Sequence, residues 1–175
     1  MVGTPRCGVH SARWTPPGIP LYHPTVSLVP RKKLPHNVLL WIDPTTETYF
    51  ITVGCLPRGQ NHLASPEVAE PLIETAVYRN KQSIWSVRLL LLMPDHVHFL
   101  VSFPDNGKGI STIMSRWKEW TAKHLSIRWQ RDFFEHRLRR DESVREKADY
   151  ILANPVRAGL VARSEDWAFV LIPEQ

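Results

Sequence analysis

Two apolar segments joined by a two-residue turn constrain the fold of this chain more than any other feature. Residues 84–92 form a nearly continuous apolar run, and residues 96–103 read His-Val-His-Phe-Leu-Val-Ser-Phe after the turn-forming Pro94 and Asp95. Apolar runs of this length, bounded by turn residues, are typical of β-strands, and a short connection favours antiparallel pairing. We therefore predict an antiparallel β-hairpin over these residues.

The second strand of this hairpin carries His96 and His98 on one face. Side chains alternate along a strand, so the two imidazoles point the same way while Val97, Phe99 and Val101 point the other way. Neutral imidazole is a common ligand of divalent metals, and two on one rigid strand are positioned to bind one ion. Because short motifs also arise by chance, a hydrogen-bonded surface histidine beside an unrelated neighbour is the open alternative.

The length and composition indicate one globular domain with a single active site. The chain has 175 residues, of which 43% are hydrophobic, and this suits one core. Its two cysteines, Cys7 and Cys55, have no spaced partners, so neither a disulfide framework nor a thiolate zinc site is indicated. Residues 1–14 lack a continuous apolar segment, and the longest aliphatic run, residues 89–93, is far too short to span a bilayer. We therefore expect a cytoplasmic protein without an export signal or a membrane anchor.

Positive charge is concentrated in the C-terminal third. The whole chain carries a formal charge of +5, and residues 116–163 alone hold twelve Lys and Arg against seven Asp and Glu. Aromatic residues are interleaved with this charge: Trp117, Trp120, Trp129, Phe133, Phe134 and Tyr150. Such a mixture is typical of proteins that grip a phosphate backbone and stack unpaired bases, although a solvated charged face explains it more often.

Proline content divides the chain into two parts. Residues 1–40 contain seven prolines and no sustained periodicity, which predicts an extended or partly disordered arm. This arm carries the basic cluster Arg31, Lys32 and Lys33. Residues 41–175 are predicted to form the catalytic domain.

The predicted elements of residues 41–175 follow the order strand, helix, strand, strand, helix, strand, helix. The strands are residues 48–55, 84–92, 96–103 and 133–138. The first helix starts near Ser65 and is kinked by Pro71, or else starts at Pro71; the other helices are residues 110–126 and 141–153. Trp117 and Trp120 belong to the apolar stripe of the second helix and are predicted core residues. This order indicates an α+β, ferredoxin-like split βαβ fold, with an antiparallel sheet, helices on one face and an added C-terminal helix.

The last predicted helix carries a tyrosine away from its apolar side. Its core-facing stripe includes Ala148 and Ile151, and Tyr150 projects about 145° from the centre of that stripe at about 100° per residue. Asn154 lies one turn further along the same side, and Lys147 borders it. The alternatives are an exposed aromatic at a helix end for Tyr150 and a helix C-cap for Asn154.

Together with the histidine pair, this tyrosine forms a chemical unit. A phenol is a weak nucleophile at neutral pH unless a charge or a base activates it. Two imidazoles and one amide oxygen would leave coordination positions of a divalent ion open for a phosphate oxygen, on which the ion acts as a Lewis acid. These residues therefore favour attack of Tyr150 on a phosphate.

Four stretches of the chain resemble the HUH single-tyrosine transposases, in particular the REP-associated tyrosine transposases: residues 49–58, 92–100, 129–138 and 149–161. The most specific are Leu-Met-Pro-Asp-His-Val-His-Phe-Leu at 92–100 and Asp-Tyr-Ile-Leu-Ala-Asn-Pro-Val-Arg-Ala-Gly-Leu-Val at 149–161. All four occur in the family's order over about residues 31–170.

This resemblance implies a site and a reaction. His96 and His98 would be metal ligands on the central strand, Asn154 the third ligand, and Tyr150 the nucleophile. The implied cofactor is Mg²⁺ or Mn²⁺, although histidine ligands would also admit zinc. The implied substrate is single-stranded DNA beside a hairpin formed by an imperfect palindrome. Tyr150 would form a 5′-phosphotyrosine bond and release a 3′-OH, and rejoining would need no nucleotide cofactor.

Other interpretations remain open at this stage. One is a domesticated protein that binds hairpin DNA without catalysis, and another is a replication initiator or relaxase of the same superfamily, which is normally a larger chain. We expect a monomer or a homodimer with no membrane partner.

Basic residues in three places are the candidate DNA contacts. They are Arg31, Lys32 and Lys33 in the arm, Arg116, Lys118 and Lys123 on the second helix, and Arg137, Arg139, Arg140, Lys147 and Arg157 towards the predicted site. Glu135 and His136, next to Arg137, have two interpretations. They are either residues of the site or a hydrogen-bonded structural pair.

Overall fold

The computed structural model describes residues 47–104, 109–139 and 142–173. The predicted arm of residues 1–40, including Arg31, Lys32 and Lys33, lies outside these ranges, and so does Arg140. The elements in chain order are β1 (Thr48–Gly54), α1 (Pro66–Lys81), β2 (Ser86–Met93), β3 (His96–Ser102), α2 (Ile110–Leu125), β4 (Phe134–Arg137), α3 (Val144–Leu152), α4 (Asn154–Arg157), a short 3-10 helix (Ser164–Asp166) and β5 (Val170–Leu171).

The strands form one antiparallel sheet in the order β4-β1-β3-β2-β5. Its first four strands have the order and directions of a ferredoxin-like split βαβ unit, so the predicted fold class is confirmed. The predicted hairpin is β2 and β3, and Met93 stands opposite His96 across the turn. The C-terminal strand β5 was not predicted, because two residues are too few to show a period.

The two faces of the sheet pack against different helices. Ile51, Val53 and Phe99 belong to the larger core cluster, which also contains buried residues of α1 and α2. Their neighbours of opposite parity form a second cluster, in which Leu100 packs with Ile151 of α3. Helix α3 therefore lies on the face opposite α1 and α2, and we call this side the histidine face because His96 and His98 share it.

Several element bounds differ from the predicted ones for local reasons. Helix α1 begins at Pro66 and continues through Pro71, so a start at Pro71 is wrong. Helix α3 begins after Ser143, whose Oγ accepts the backbone N–H of Glu146 at 3.2 Å, and not at Asp141. Helix α3 ends at Leu152, one residue before the predicted end, and the separate helix α4 begins at Asn154, with Pro155 in its first turn, where a missing N–H is tolerated.

Helix α2 buries fewer residues than the apolar period of its sequence predicts. Ile113, Met114 and Trp117 are buried, whereas Trp120 is 40% exposed and stacks on His124. In the described parts of the chain, no helix combines the length and the apolarity needed to cross a membrane.

Candidate active site

The two histidines of β3 converge through their Nε2 atoms. These atoms lie 3.2 Å apart, and the two rings meet edge to face with centroids 4.7 Å apart. The rings can approach in this way because His96 and His98 are separated by one residue and so share a face of the strand. The pair thus presents two nitrogen atoms to one point on the histidine face.

A separate side chain orients each histidine. Asp95 Oδ1 lies 2.6 Å from Nδ1 of His96, and Thr52 Oγ1 lies 2.9 Å from Nδ1 of His98. When the Nδ1–H of neutral His96 donates to Asp95, the Nε2 of His96 carries a lone pair. Partners of this kind on the remote ring nitrogen are typical of histidines that ligate metals.

Asp95 is itself held by the loop that follows β1. Its Oδ2 accepts the backbone N–H of Gly59 at 2.7 Å and lies 3.2 Å from Nε of Arg58. Burial opposes ionisation of Asp95, but the bonds from Gly59 and His96 and the charges of His96 and Arg58 outweigh it, and the pKa is lowered. A charged carboxylate therefore faces His96.

His98 is held in its neutral form. Burial, with a smaller contribution from the charge of His96, lowers the pKa of His98 to about 3. Only 8% of the residue is exposed, and its ring stacks on Phe50 with centroids 5.5 Å apart. A neutral imidazole retains the lone pair that a metal requires.

Tyr150 lies on the same face and is 47% exposed. Ala148 and Ile151, on the other side of α3, are buried, so the predicted orientation of the helix is confirmed. Two cations flank the phenol ring: Nζ of Lys147 is 5.7 Å from its centroid, and the guanidinium carbon of Arg157 is 4.9 Å from it.

Lys147 connects the tyrosine to the histidines. Its Nζ also lies 5.3 Å from the ring centroid of Phe50, the ring on which His98 stacks. His98, Phe50, Lys147 and Tyr150 therefore form a continuous series of contacts across the histidine face. The structure thus places the predicted nucleophile, the two predicted metal ligands and one predicted phosphate contact on the same face of the sheet.

Asn154 is the third predicted ligand, and its side-chain amide is partly enclosed by the protein. Its Nδ2 is buried and has no hydrogen-bond partner among the described residues. A half-turn of the amide exchanges nitrogen and oxygen, so the same position can hold Oδ1, a suitable ligand for Mg²⁺ or Mn²⁺.

The predicted ligands His96, His98 and Asn154 are chemically suited to a divalent ion. Within residues 47–104, 109–139 and 142–173, no three His, Cys, Asp or Glu side chains form a group that could hold a metal. The candidate set is instead two imidazoles and one amide, which together with phosphate oxygens would complete a mixed nitrogen and oxygen site.

The other predicted DNA contacts are dispersed. Arg116 and Lys123 are exposed on α2, which covers the opposite face of the sheet. Lys118 donates from Nζ to the carbonyl oxygen of Arg131 at 2.7 Å, and burial lowers its pKa. Arg137 pairs with Glu47 at 2.9 Å on that same opposite side.

The predicted structural pair of Glu135 and His136 is wrong, because His136 pairs with Glu142 instead. Nε2 of His136 lies 2.9 Å from Oε1 of Glu142, which also accepts the backbone N–H of Arg139 through Oε2 at 2.7 Å. The bond from Arg139 and that from His136 lower the pKa of Glu142. Glu135 points to the opposite face with Ile51.

Three residues of the site were not singled out by sequence reasoning: Asp95, Thr52 and Arg58. The sequence around Asp95 indicates only a turn, although a carboxylate directly before a ligand histidine is a usable signal. Thr52 and Arg58 lie more than thirty residues from the histidines, and only strand register and loop geometry bring them together.

The chain is similar to proteins described as REP-associated tyrosine transposases. The REP-associated tyrosine transposase of Escherichia coli is 28% identical over 128 residues, which cover 70% of this chain and 74% of that protein. A candidate REP-associated tyrosine transposase of Haemophilus influenzae is 29% identical over 139 residues, which cover 69% and 77%. The solved structure of a REP-associated tyrosine transposase bound to a REP hairpin has a TM-score of 0.62 and 25% identity, over 71% of this chain and 76% of that one. No family model matches the chain.

Proposed function

We propose that the chain is a member of the REP-associated tyrosine transposase family, to which it is similar, and that it cleaves and rejoins single-stranded DNA beside a hairpin through a covalent bond to Tyr150. One observation carries the proposal. Lys147 lies beside the ring of Tyr150 and beside the ring of Phe50, and His98 stacks on Phe50. A phosphate bound on this face would meet the nucleophile, a cation and the imidazoles together.

His96, His98 and Asn154 are the residues that would hold the divalent ion. When bound there, the ion would supply Lewis acidity to a phosphate oxygen. Asp95 and Thr52 would keep the two rings in the orientation that leaves each Nε2 free.

The reaction at the DNA backbone is a displacement at phosphorus. The Tyr150 oxygen loses its proton and forms a bond to phosphorus, while the bond from phosphorus to the 3′ oxygen breaks. The released oxygen takes up a proton and becomes a 3′-OH, and the 5′ side stays attached to Tyr150. Attack by another 3′-OH reverses these changes and joins a new strand, with no net loss of the phosphodiester bond.

Lys147 and Arg157 would stabilise the charge of this step. Both cations lie within 6 Å of the centroid of the phenol ring, so a phosphate that Tyr150 attacks would meet positive charge near the ring. We propose that Arg139, which follows β4, contacts the DNA backbone next to the cleaved phosphate. Only DNA that extends to the opposite face of the sheet would contact Arg116, Lys118, Lys123 and Arg137.

The experiment is a covalent capture assay. The full chain is incubated with REP-type palindromes taken from the DNA beside its own gene, synthesised as hairpins with single-stranded flanks, in the presence of Mg²⁺ or Mn²⁺. We expect a protein band shifted by the attached DNA on a denaturing gel, and no such band with Tyr150→Phe.

Tyr78→Phe is the matched control, because Tyr78 is 60% exposed on α1, on the opposite side of the sheet. It should form the adduct at the wild-type level. An adduct that survives Tyr150→Phe would refute the assignment of the nucleophile. Tight, salt-sensitive binding without any adduct would instead favour the non-catalytic alternative.

A further inference from the structure

Phe134 is a large apolar side chain that the core does not use. It lies on β4, the edge strand of the sheet, and is 56% exposed. It stands opposite Thr52 in the β1 register and therefore points to the histidine face. An isolated exposed phenylalanine needs no explanation by itself, so its surroundings decide its role.

Phe134 ends a row of rings that starts at the histidine pair. His98 stacks on Phe50 at 5.5 Å, and Phe50 meets Phe134 edge to face at 5.8 Å. The inner rings of this row are buried, whereas Phe134 opens to solvent. A planar group placed on Phe134 would thus lie two rings away from the proposed metal ligands.

The charges around this row suit a polyanion. Nζ of Lys147 is 5.3 Å from the centroid of Phe50, the ring between His98 and Phe134. On β4 itself, Glu135 points to the opposite face, and Glu142 is paired with His136. The row of rings that Phe134 ends is therefore bordered by a cation at Phe50, while Glu135 is turned away and Glu142 is paired.

We infer that Phe134 is the stacking platform for an unpaired nucleobase next to the cleaved phosphate. Base stacking on an aromatic side chain tolerates every base and requires an exposed ring beside a positive backbone track. Tyr150 and Lys147 would hold the phosphate, while Phe134 would hold the base of an adjacent nucleotide on the β4 side. This inference rests on the proposed function and adds to it the residue that grips the single strand.

An abasic scan tests this assignment. Tyr150→Phe serves as the non-cleaving background, and the probes are REP hairpins in which each flanking nucleotide is replaced in turn by an abasic unit. Equilibrium binding is measured for this background and for the same protein with Phe134→Leu, which keeps an apolar side chain without a ring. In the background, the critical abasic unit should weaken binding by roughly 5- to 100-fold.

The double variant should bind intact DNA more weakly by a similar factor and should lose its sensitivity at that one position. Phe134→Trp should restore the sensitivity, because a larger ring stacks as well. Tyr78→Leu, on the opposite side of the sheet, should leave the abasic profile unchanged. Circular dichroism of each variant verifies that the fold is kept.

Two results would overturn the inference, and they are distinguishable. If Tyr150→Phe binds the hairpin but Phe134→Leu keeps the full abasic profile, the stacking role fails while the proposed function stands. If the Tyr150→Phe protein binds the hairpin no better than a scrambled duplex, the proposed function fails and the stacking role fails with it.

Discussion

Nε2 of His96 and Nε2 of His98 lie within 3.2 Å of each other, while Nδ1 of each ring is occupied by a different oxygen. Asp95 contacts the ring of His96, and Thr52 contacts the ring of His98. Each imidazole is thus oriented by the contact at its Nδ1, and the two Nε2 atoms face a common point.

Replacement of both histidines by alanine should abolish Mn²⁺ binding to the free protein. Titration of Mn²⁺ followed by electron paramagnetic resonance measures this without any DNA or turnover. His124→Ala is the control, because His124 is exposed on α2 and stacks on Trp120. Equal Mn²⁺ affinity in the double variant and the control would disprove the metal site.

Asp95→Asn should weaken Mn²⁺ binding by about 10- to 100-fold, because loss of a hydrogen-bonded carboxylate behind a ligand histidine reduces its basicity and its orientation. The same titration gives the value. Asp132→Asn, at an exposed position before β4, should leave the affinity unchanged. An unchanged affinity in Asp95→Asn would show that the carboxylate only shapes the turn.

Lys147→Met should reduce the salt dependence of DNA binding. If Lys147 contacts one phosphate of a single strand, the slope of log K against log salt should fall by about 0.7 in magnitude. Arg145→Met is the comparison, since Nε of Arg145 lies 4.0 Å from Asp149 on the same helix. Fluorescence anisotropy between low and moderate salt gives both slopes, and identical slopes would remove Lys147 from the interface.

Ser143→Ala should lower the free energy of unfolding by about 1 kcal/mol, because the helix that carries Tyr150 loses its N-cap. Ser143→Asp should keep most of the stability, since aspartate is an equally good cap. Urea unfolding followed by circular dichroism measures both. If the two variants were equally destabilised, the hydrogen bond to Glu146 would not be the cause.

Cys55 should react very slowly with thiolate-directed reagents in the folded protein. Burial, together with the charge of Asp95, raises its pKa to about 11, so little thiolate exists near pH 8. Because the folded pKa lies above the ordinary 9.0, this thiol destabilises the fold only as the pH rises from about 9 through about 11. Labelling of a Cys7→Ser variant, with and without urea, measures the reactivity; rapid labelling without urea would contradict the burial.

The positions of β1 to β4 along the chain could be predicted from the sequence, because each strand is marked by its own residues and by the turns beside it. The alternation along residues 96–102 also predicts that His96 and His98 share a face, and the helical period predicts that Tyr150 leaves the core. These are properties of one element at a time. They need no knowledge of its neighbours.

Relations between elements could not be predicted in the same way. Whether Thr52 or another residue stands behind His98 depends on the register of β1 against β3, which is set by the whole sheet. The exposure of Phe134 depends on β4 being an edge strand, and the exposure of Trp120 depends on where α1 ends beside α2. The two-residue β5 exists only because β2 offers it a free edge.

The polypeptide enters the segment that carries Tyr150 from β4 and leaves it into β5, and these strands form the two opposite margins of the sheet. The indole of Trp167 further ties the exit to the carbonyl oxygen of Leu92 at 2.9 Å. Both ends of the segment that carries Tyr150 are therefore anchored in the sheet. If the protein acts as proposed, the DNA ends would exchange at a tyrosine whose segment is held at both borders.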